Sequence, residues 1–153
     1  MKTIKIIPFE PQYSNHFYEL NVEWLEKYFY VEAYDKKVLS NPKQWIIDTG
    51  GYIFFAKYHD EIVGTVALIN QEKIFELSKM AVSPKYQGFK IGLKIMNHCI
   101  DFAKKQQWKD IVLYSHRSLV PALNLYKKVG FVEVPLEKDS HYERSDIKMQ
   151  LEL

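Results

Sequence analysis

Phe75-Glu76-Leu77-Ser78-Lys79-Met80-Ala81-Val82-Ser83-Pro84 runs through Lys85 into Tyr86-Gln87-Gly88-Phe89-Lys90-Ile91-Gly92, and this stretch decides the fold. Ile74 to Val82 predicts a strand, and Ser83-Pro84 breaks it because proline cannot donate to a ladder. A glycine-containing loop follows and opens directly into a helix, whose buried stripe is marked by Leu93, Met96, Ile100 and Ala103. Strand, loop and helix in that order have a physical use. A helix N-terminus offers unpaired backbone N–H groups and the positive end of the macrodipole. A pyrophosphate can sit there without a cationic side chain, and glycine lets the backbone come close. Gly88 and Gly92 flank the turn. Two glycines alone are ordinary turn chemistry. Neither the Rossmann G-x-G-x-x-G nor the P-loop pattern is present, so dinucleotides and nucleoside triphosphates are disfavoured.

Outward from this stretch, the chain alternates strand and helix with no repeat or linker. Ile4 to Pro8 predicts a strand. Ser14 is the expected cap of an amphipathic helix carrying Phe17, Leu20, Trp24, Leu25 and Tyr28. Val31 to Ser40 predicts a second short helix. Asn41-Pro42 predicts the start of a third, with Trp45, Ile46 and Ile47 inward and Gly50-Gly51 at its end. Tyr52 to Tyr58 and Ile62 to Asn70 predict a hairpin turning at His59-Asp60-Glu61. Asp110 to Ser115 predicts a strand and Pro121 to Val129 a helix stopped by Gly130. Phe131 to Val134 and Ile147 to Leu151 predict two last strands. The class is α/β, with a mixed, mostly antiparallel sheet.

Composition bounds the function. The 153 residues are 47% apolar and 15% aromatic, enough for one core and one domain over 1–153. The net charge is +2, with no basic run, which argues against nucleic acid. A single cysteine, Cys99, excludes an intramolecular disulfide and a thiolate zinc site. It reads as a small buried hydrophobe on its helix rather than a nucleophile. No stretch approaches a membrane span, and the N-terminus lacks the apolar core of a signal peptide. The expected location is cytoplasmic, with no membrane partner and no metal.

Three blocks occur in order: the strand ending Met80-Ala81-Val82-Ser83-Pro84, the loop Gln87 to Gly92, and the helix Ala122-Leu123-Asn124-Leu125-Tyr126-Lys127-Lys128-Val129-Gly130-Phe131. Together they resemble the GCN5-related N-acetyltransferases (GNAT), and the predicted element order matches over nearly the whole chain. The resemblance implies a GNAT-type sheet with splayed central strands flanked by helices. It implies acetyl-coenzyme A as cosubstrate, held in the gap between strands 74–82 and 110–115. The backbone of Met80, Ala81 and Val82 would pair with the pantetheine arm. The N–H groups of Gln87, Gly88, Phe89, Lys90, Ile91 and Gly92 would hold the pyrophosphate.

The family's loop pattern is [Q/R]-x-x-G-x-[G/A]. Gln87 and Gly92 match its ends, but Lys90 stands where the middle glycine is expected. A positive φ there would cost a lysine about 1 kcal/mol. The resemblance also implies Glu76 as general base, directly or through a water, and Tyr126 as general acid or hydrogen-bond donor to the sulfur. Leu119 stands where many members place a cofactor-contacting asparagine.

The acceptor wall is expected from Phe29, Tyr30 and Tyr34, with Trp24 and Tyr28 in the core. His98 is expected on the helix surface. His116, Arg117 and the segment His141-Tyr142-Glu143-Arg144 lie on loops near the expected opening. The acceptor is a primary amine, on a small molecule or a protein, with the small molecule slightly favoured. Family members are often dimers, which leaves a homodimer open. The alternative function is a degenerate module that senses acetyl-coenzyme A without turnover, to which Lys90 and Leu119 point.

Overall fold

A computed structural model describes residues 3–137 and 144–153. Its elements are β1 (Ile4–Pro8), α1 (Ser14–Tyr28), α2 (Ala33–Ser40), β2 (Tyr52–Tyr58), β3 (Glu61–Asn70), β4 (Phe75–Val82), α3 (Ile91–Lys105), β5 (Asp110–Ser115), α4 (Val120–Lys128), β6 (Val132–Val134) and β7 (Ile147–Glu152). The seven strands form one sheet in the order β1-β2-β3-β4-β5-β7-β6. Every neighbouring pair is antiparallel except β4 with β5.

Each face of the sheet carries its own apolar layer. On one face Phe54, Val66, Leu68, Leu77, Ile111 and Leu113 pack against Ile95, Met96, Cys99 and Ala103 of α3, with Leu123 of α4 beside them. On the other, Ile53, Phe55 and Ala67 meet Phe17 and Leu25 of α1 and Val38 and Leu39 of α2. Val63 and Val66 to Leu68 are all fully buried, as expected of a central strand covered on both sides. Phe75 stacks on Trp108 with ring centroids 3.7 Å apart, sealing the end of the sheet where β4 and β5 touch.

Two irregularities shape the site. The register of β4 on β3 slips between Thr65↔Ala81 and Ala67↔Ser78, so β4 carries one residue more than its partner. This is a β-bulge, and Lys79 within it adopts φ +55°. The parallel pairing of β4 with β5 covers only Phe75↔Ile111 and Glu76↔Val112. Beyond it the two strands diverge and leave a notch.

Local differences from the sequence reading have local causes. Ser14 is the first helical residue of α1 and forms no side-chain cap, because a 3₁₀ turn over Pro11–Tyr13 runs straight into the helix. The second helix begins at Ala33, not Val31. The expected third helix is a single π-type turn over Lys43–Ile47, with Ile46 fully buried. Tyr28, expected in the core, is 42% exposed as the last residue of α1, with its ring against Trp24. His98, expected on the surface, is partly buried with its ring edge-on to Phe54 at 4.6 Å. Burial pushes its imidazole below the usual range.

Gly51 links the π-type turn to β2. A Cβ there would stand 2.7 Å from the Leu68 carbonyl oxygen and 2.8 Å from that of Ile46. Both oxygens belong to backbone that cannot move cheaply. Gly51→Ala is therefore expected to lower stability by about 2 kcal/mol, read as a reduced midpoint in urea unfolding at unchanged slope.

Candidate active site

The notch is continued by a groove. Met80, Ala81 and Val82 of β4 form one wall, and Pro121, Ala122, Leu125 and Lys128 of α4 form the other. Tyr86, Gln87, Gly88, Lys90, Ile91 and Gly92 close its outer end, leaving about 590 Å³ of free space. Lys90 is the residue immediately before α3 and sits in the left-handed region, at φ +59° and ψ +29°. Gly88 also has a positive φ, +92°. The position that lacks its glycine thus does demand glycine-like geometry, and lysine meets it at some cost. The loop presents a helix N-terminus toward an open groove, and nothing lies within 4 Å of where a Gly88 side chain would begin. That arrangement fits an elongated ligand with a diphosphate at one end.

At its inner end the groove meets a second cavity of about 90 Å³. Trp24 and Met80 line both. Of the residues singled out in the sequence, Glu76, Tyr126, Phe29 and His116 come together around this inner cavity, and Leu119 joins them. Trp24, expected in the core, belongs to its wall. Tyr30 and Tyr34 do not line it and stand 55% and 41% exposed. His141, Tyr142 and Glu143 lie outside the described residues. Arg144, next to them in sequence, lines the cavity, whereas Arg117 is exposed and pairs with Glu133.

Glu76 is only 3% exposed and lies on the α1/α2 face of β4. Its Oε1 accepts a hydrogen bond from Gln71 Nε2 at 2.9 Å, which orients the carboxyl group. Tyr126 is partly buried, and its ring contacts Phe131. Burial pushes its phenol up to about 12, so it keeps its proton at neutral pH. The Tyr114 phenol is also raised, by burial and by the hydrogen bond to Glu137.

The sequence reading missed an ionic cluster beside Glu76. Asp35 of α2 is fully buried. Arg144 grips it with two hydrogen bonds, NH1 to Oδ2 at 2.8 Å and NH2 to Oδ1 at 3.0 Å. Lys79 Nζ stands 3.3 Å from Oδ1, and the backbone N–H of Glu32 donates to Oδ2 at 3.1 Å. Arg144 also bonds to the Glu32 carboxylate. Burial alone would raise the Asp35 carboxyl, but the Arg144 hydrogen bonds and the Lys79 and Arg144 charges outweigh it and hold it below its usual range. Burial pushes the Lys79 ammonium down, against Asp35 and Glu76, which push it up. The three core partners come from α2, β4 and the segment before β7, too far apart in sequence for any local pattern to join them. Strand β4 held the one available hint, since Glu76 and Lys79 are charged residues on a mostly apolar strand. Among the described residues, no group of three or more His, Cys, Asp and Glu is placed to hold a metal ion. No described helix is long and apolar enough to cross a membrane.

The model of the acetyltransferase (GNAT) family matches residues 15–131 of the chain. The chain belongs to the GNAT family. Its curated relatives include an uncharacterised N-acetyltransferase of Dictyostelium discoideum, 35% identical over 61 residues, which are 40% of this chain and 28% of that protein. Another is N-acetyltransferase 8B of Rattus norvegicus, 27% identical over 95 residues, 58% of this chain and 43% of that one. The chain thus spans less than half the length of either. Among solved structures, a GNAT acetyltransferase of Staphylococcus aureus Mu50 superposes with a TM-score of 0.86 at 23% identity, covering 98% of this chain and 99% of that one. The PaiA N-acetyltransferase of Thermoplasma acidophilum, solved in complex with coenzyme A, superposes with a TM-score of 0.77 at 19% identity, covering 99% of each chain. The GNAT fold therefore extends over essentially the whole chain.

The left-handed Lys90 makes a measurable claim. Lys90→Gly and Lys90→Ala remove the same charge, but only glycine relieves the backbone. Lys90→Gly is expected to be more stable than Lys90→Ala by about 1 kcal/mol, measured by chemical unfolding of the two proteins side by side.

Proposed function

We propose that this GNAT chain is a single acetyltransferase domain that moves the acetyl group of acetyl-coenzyme A to a primary amine by direct attack. The observation that carries this reading is that the groove and the inner cavity are neighbours sharing Trp24 and Met80 in their walls. A diphosphate at the Gln87–Gly92 loop and a thioester beside Glu76 and Tyr126 then belong to one extended ligand. The coenzyme-A-bound relative from Thermoplasma acidophilum supports the same ligand for this fold.

The chemistry follows from the side chains. A protonated alkylamine must first lose a proton, since only its free base attacks. Glu76 takes that proton, directly or through one water, as a buried carboxylate acceptor held by Gln71. The amine nitrogen bonds to the acetyl carbon and the carbon–sulfur bond breaks, its electron pair leaving on the thiolate; the nitrogen sheds its second proton as the amide forms, and that proton ends on the sulfur to give the thiol. Tyr126 donates a hydrogen bond to that sulfur. With its pKa pushed up to about 12, it is a weaker acid than a thiol of about 8.5. Its contribution is charge stabilisation rather than complete proton delivery. Nothing in this scheme needs export or a membrane surface, and we place the reaction in the cytoplasm.

Calorimetric titration with acetyl-coenzyme A is expected to give micromolar binding, unchanged in Glu76→Gln. The same substitution is expected to lower kcat by about 10²- to 10⁴-fold, and Tyr126→Phe by about tenfold. Both are read as thiol release with an amine acceptor. Binding without any amine-dependent thiol release would favour a sensor over an enzyme. Absence of binding at millimolar concentration would overturn the cosubstrate assignment.

A further inference from the structure

The inner cavity holds an unusual balance of charge. Among the described residues, its wall carries two carboxylates, Asp35 and Glu76, and two basic side chains, Lys79 and Arg144, with His116 beside them. Neither Lys79 nor Arg144 faces the cavity without a carboxylate of its own. Arg144 is spread over Asp35 and Glu32, in a bidentate grip on the first and a further bond to the second. Lys79 lies against Asp35, with Glu76 close enough to act on it. His116, the remaining titratable group of basic character, faces Asp146 at 3.4 Å and hydrogen-bonds through Nδ1 with Ser118 Oγ at 2.7 Å. Among the described residues, with Glu32 behind Arg144 and Asp146 behind His116 included, the carboxylates outnumber the basic groups. Trp24 and Phe29, 5.9 Å apart, add aromatic faces to the lining, and Phe29 touches His116.

From this balance we infer that the acceptor is a small cationic amine that carries no carboxylate or other acidic group. The inference rests on the acetyltransferase reading above and names the substrate class of that same site. An incoming ammonium is drawn by the surplus carboxylate and by the aromatic faces, which attract cations. A substrate carboxylate would lose its water in a cavity whose guanidinium and ammonium are already committed to Asp35 and Glu32. To gain a partner it would have to break a buried ion pair, and otherwise it stays desolvated without one. The site therefore discriminates against acids by repulsion and desolvation, not by shape.

Matched acceptor pairs that differ only by a carboxylate test this on the unmodified protein: tyramine against tyrosine, agmatine against arginine, and cadaverine against lysine. Tyrosinamide adds the bulk of the carboxylate without its charge. The decarboxylated member of each pair is expected to have at least about tenfold higher kcat/KM than its amino acid. Tyrosinamide is expected to fall with tyramine. Glu32→Gln, which takes one carboxylate from Arg144, is expected to narrow the tyramine-to-tyrosine ratio at least about threefold. A fold defect would depress both members together and leave that ratio unmoved. Equal rates within the pairs, preference for the amino acids, or tyrosinamide falling with tyrosine would overturn the charge rule. So would failure of every small amine alongside micromolar acetyl-coenzyme A binding, which leaves the cosubstrate assignment standing. Loss of binding as well would remove both.

Discussion

Past Glu76 and Val112 the two central parallel strands stop pairing, and the rest of the site depends on that parting. A sheet edge opened in the middle of a sheet is expensive unless something occupies it, because backbone donors and acceptors lose their partners there. The extra residue at Lys79 explains how β4 leaves its neighbour: a bulge bends its own strand and increases the local twist. Three consequences follow from this one departure. The freed length of β4 becomes a wall for a ligand. The loop after it is aimed into the opening, with the start of α3 behind it. The bulge residue itself delivers an ammonium to the buried carboxylate of α2. Antiparallel pairing on both flanks, through β3 and through β7, keeps the opening from spreading.

The sequence carried the fold well because its signals were local. Strand–loop–helix order, the proline after β4 and the glycine-marked turns all speak within a few residues of themselves, and the eleven principal elements stand close to where they were expected. The failures were also local in origin. Trp45, Ile46 and Ile47 carry apolar bulk that suits a helix, but the chain has only a π-type turn before Gly50 and Gly51 oblige it to enter β2. Tyr28 shares the apolar stripe of α1, yet a stripe does not say which of its residues the fold covers.

The site divides in the same way. That Glu76 and Tyr126 lie close to the groove beside the Gln87–Gly92 loop was legible, because each stands inside a motif that also fixes its surroundings. The Asp35–Lys79–Arg144 cluster was not, because its meaning lies wholly in tertiary contacts between residues 44 and 109 positions apart. Buried ionic groups of this kind contribute little net stability, since the cost of desolvation offsets the attraction. What such a cluster does provide is a fixed electrostatic setting for whatever enters beside it. In this chain local motifs thus announce the groove and its loop, while the ionic cluster beside them is assembled across the fold.

Cys99 bears on how this protein can be studied. It is fully buried beneath α3 against the sheet, and burial pushes its thiol up to about 12. The folded chain therefore offers almost no thiolate to an electrophile. A disulfide chromophore or maleimide dye added to the native protein will see only sulfur released into solution. Continuous colorimetric assays can run at high protein concentration without a background from the protein itself, and the same reagents, silent on the folded state, become reporters of unfolding once denaturant lifts α3 from the sheet.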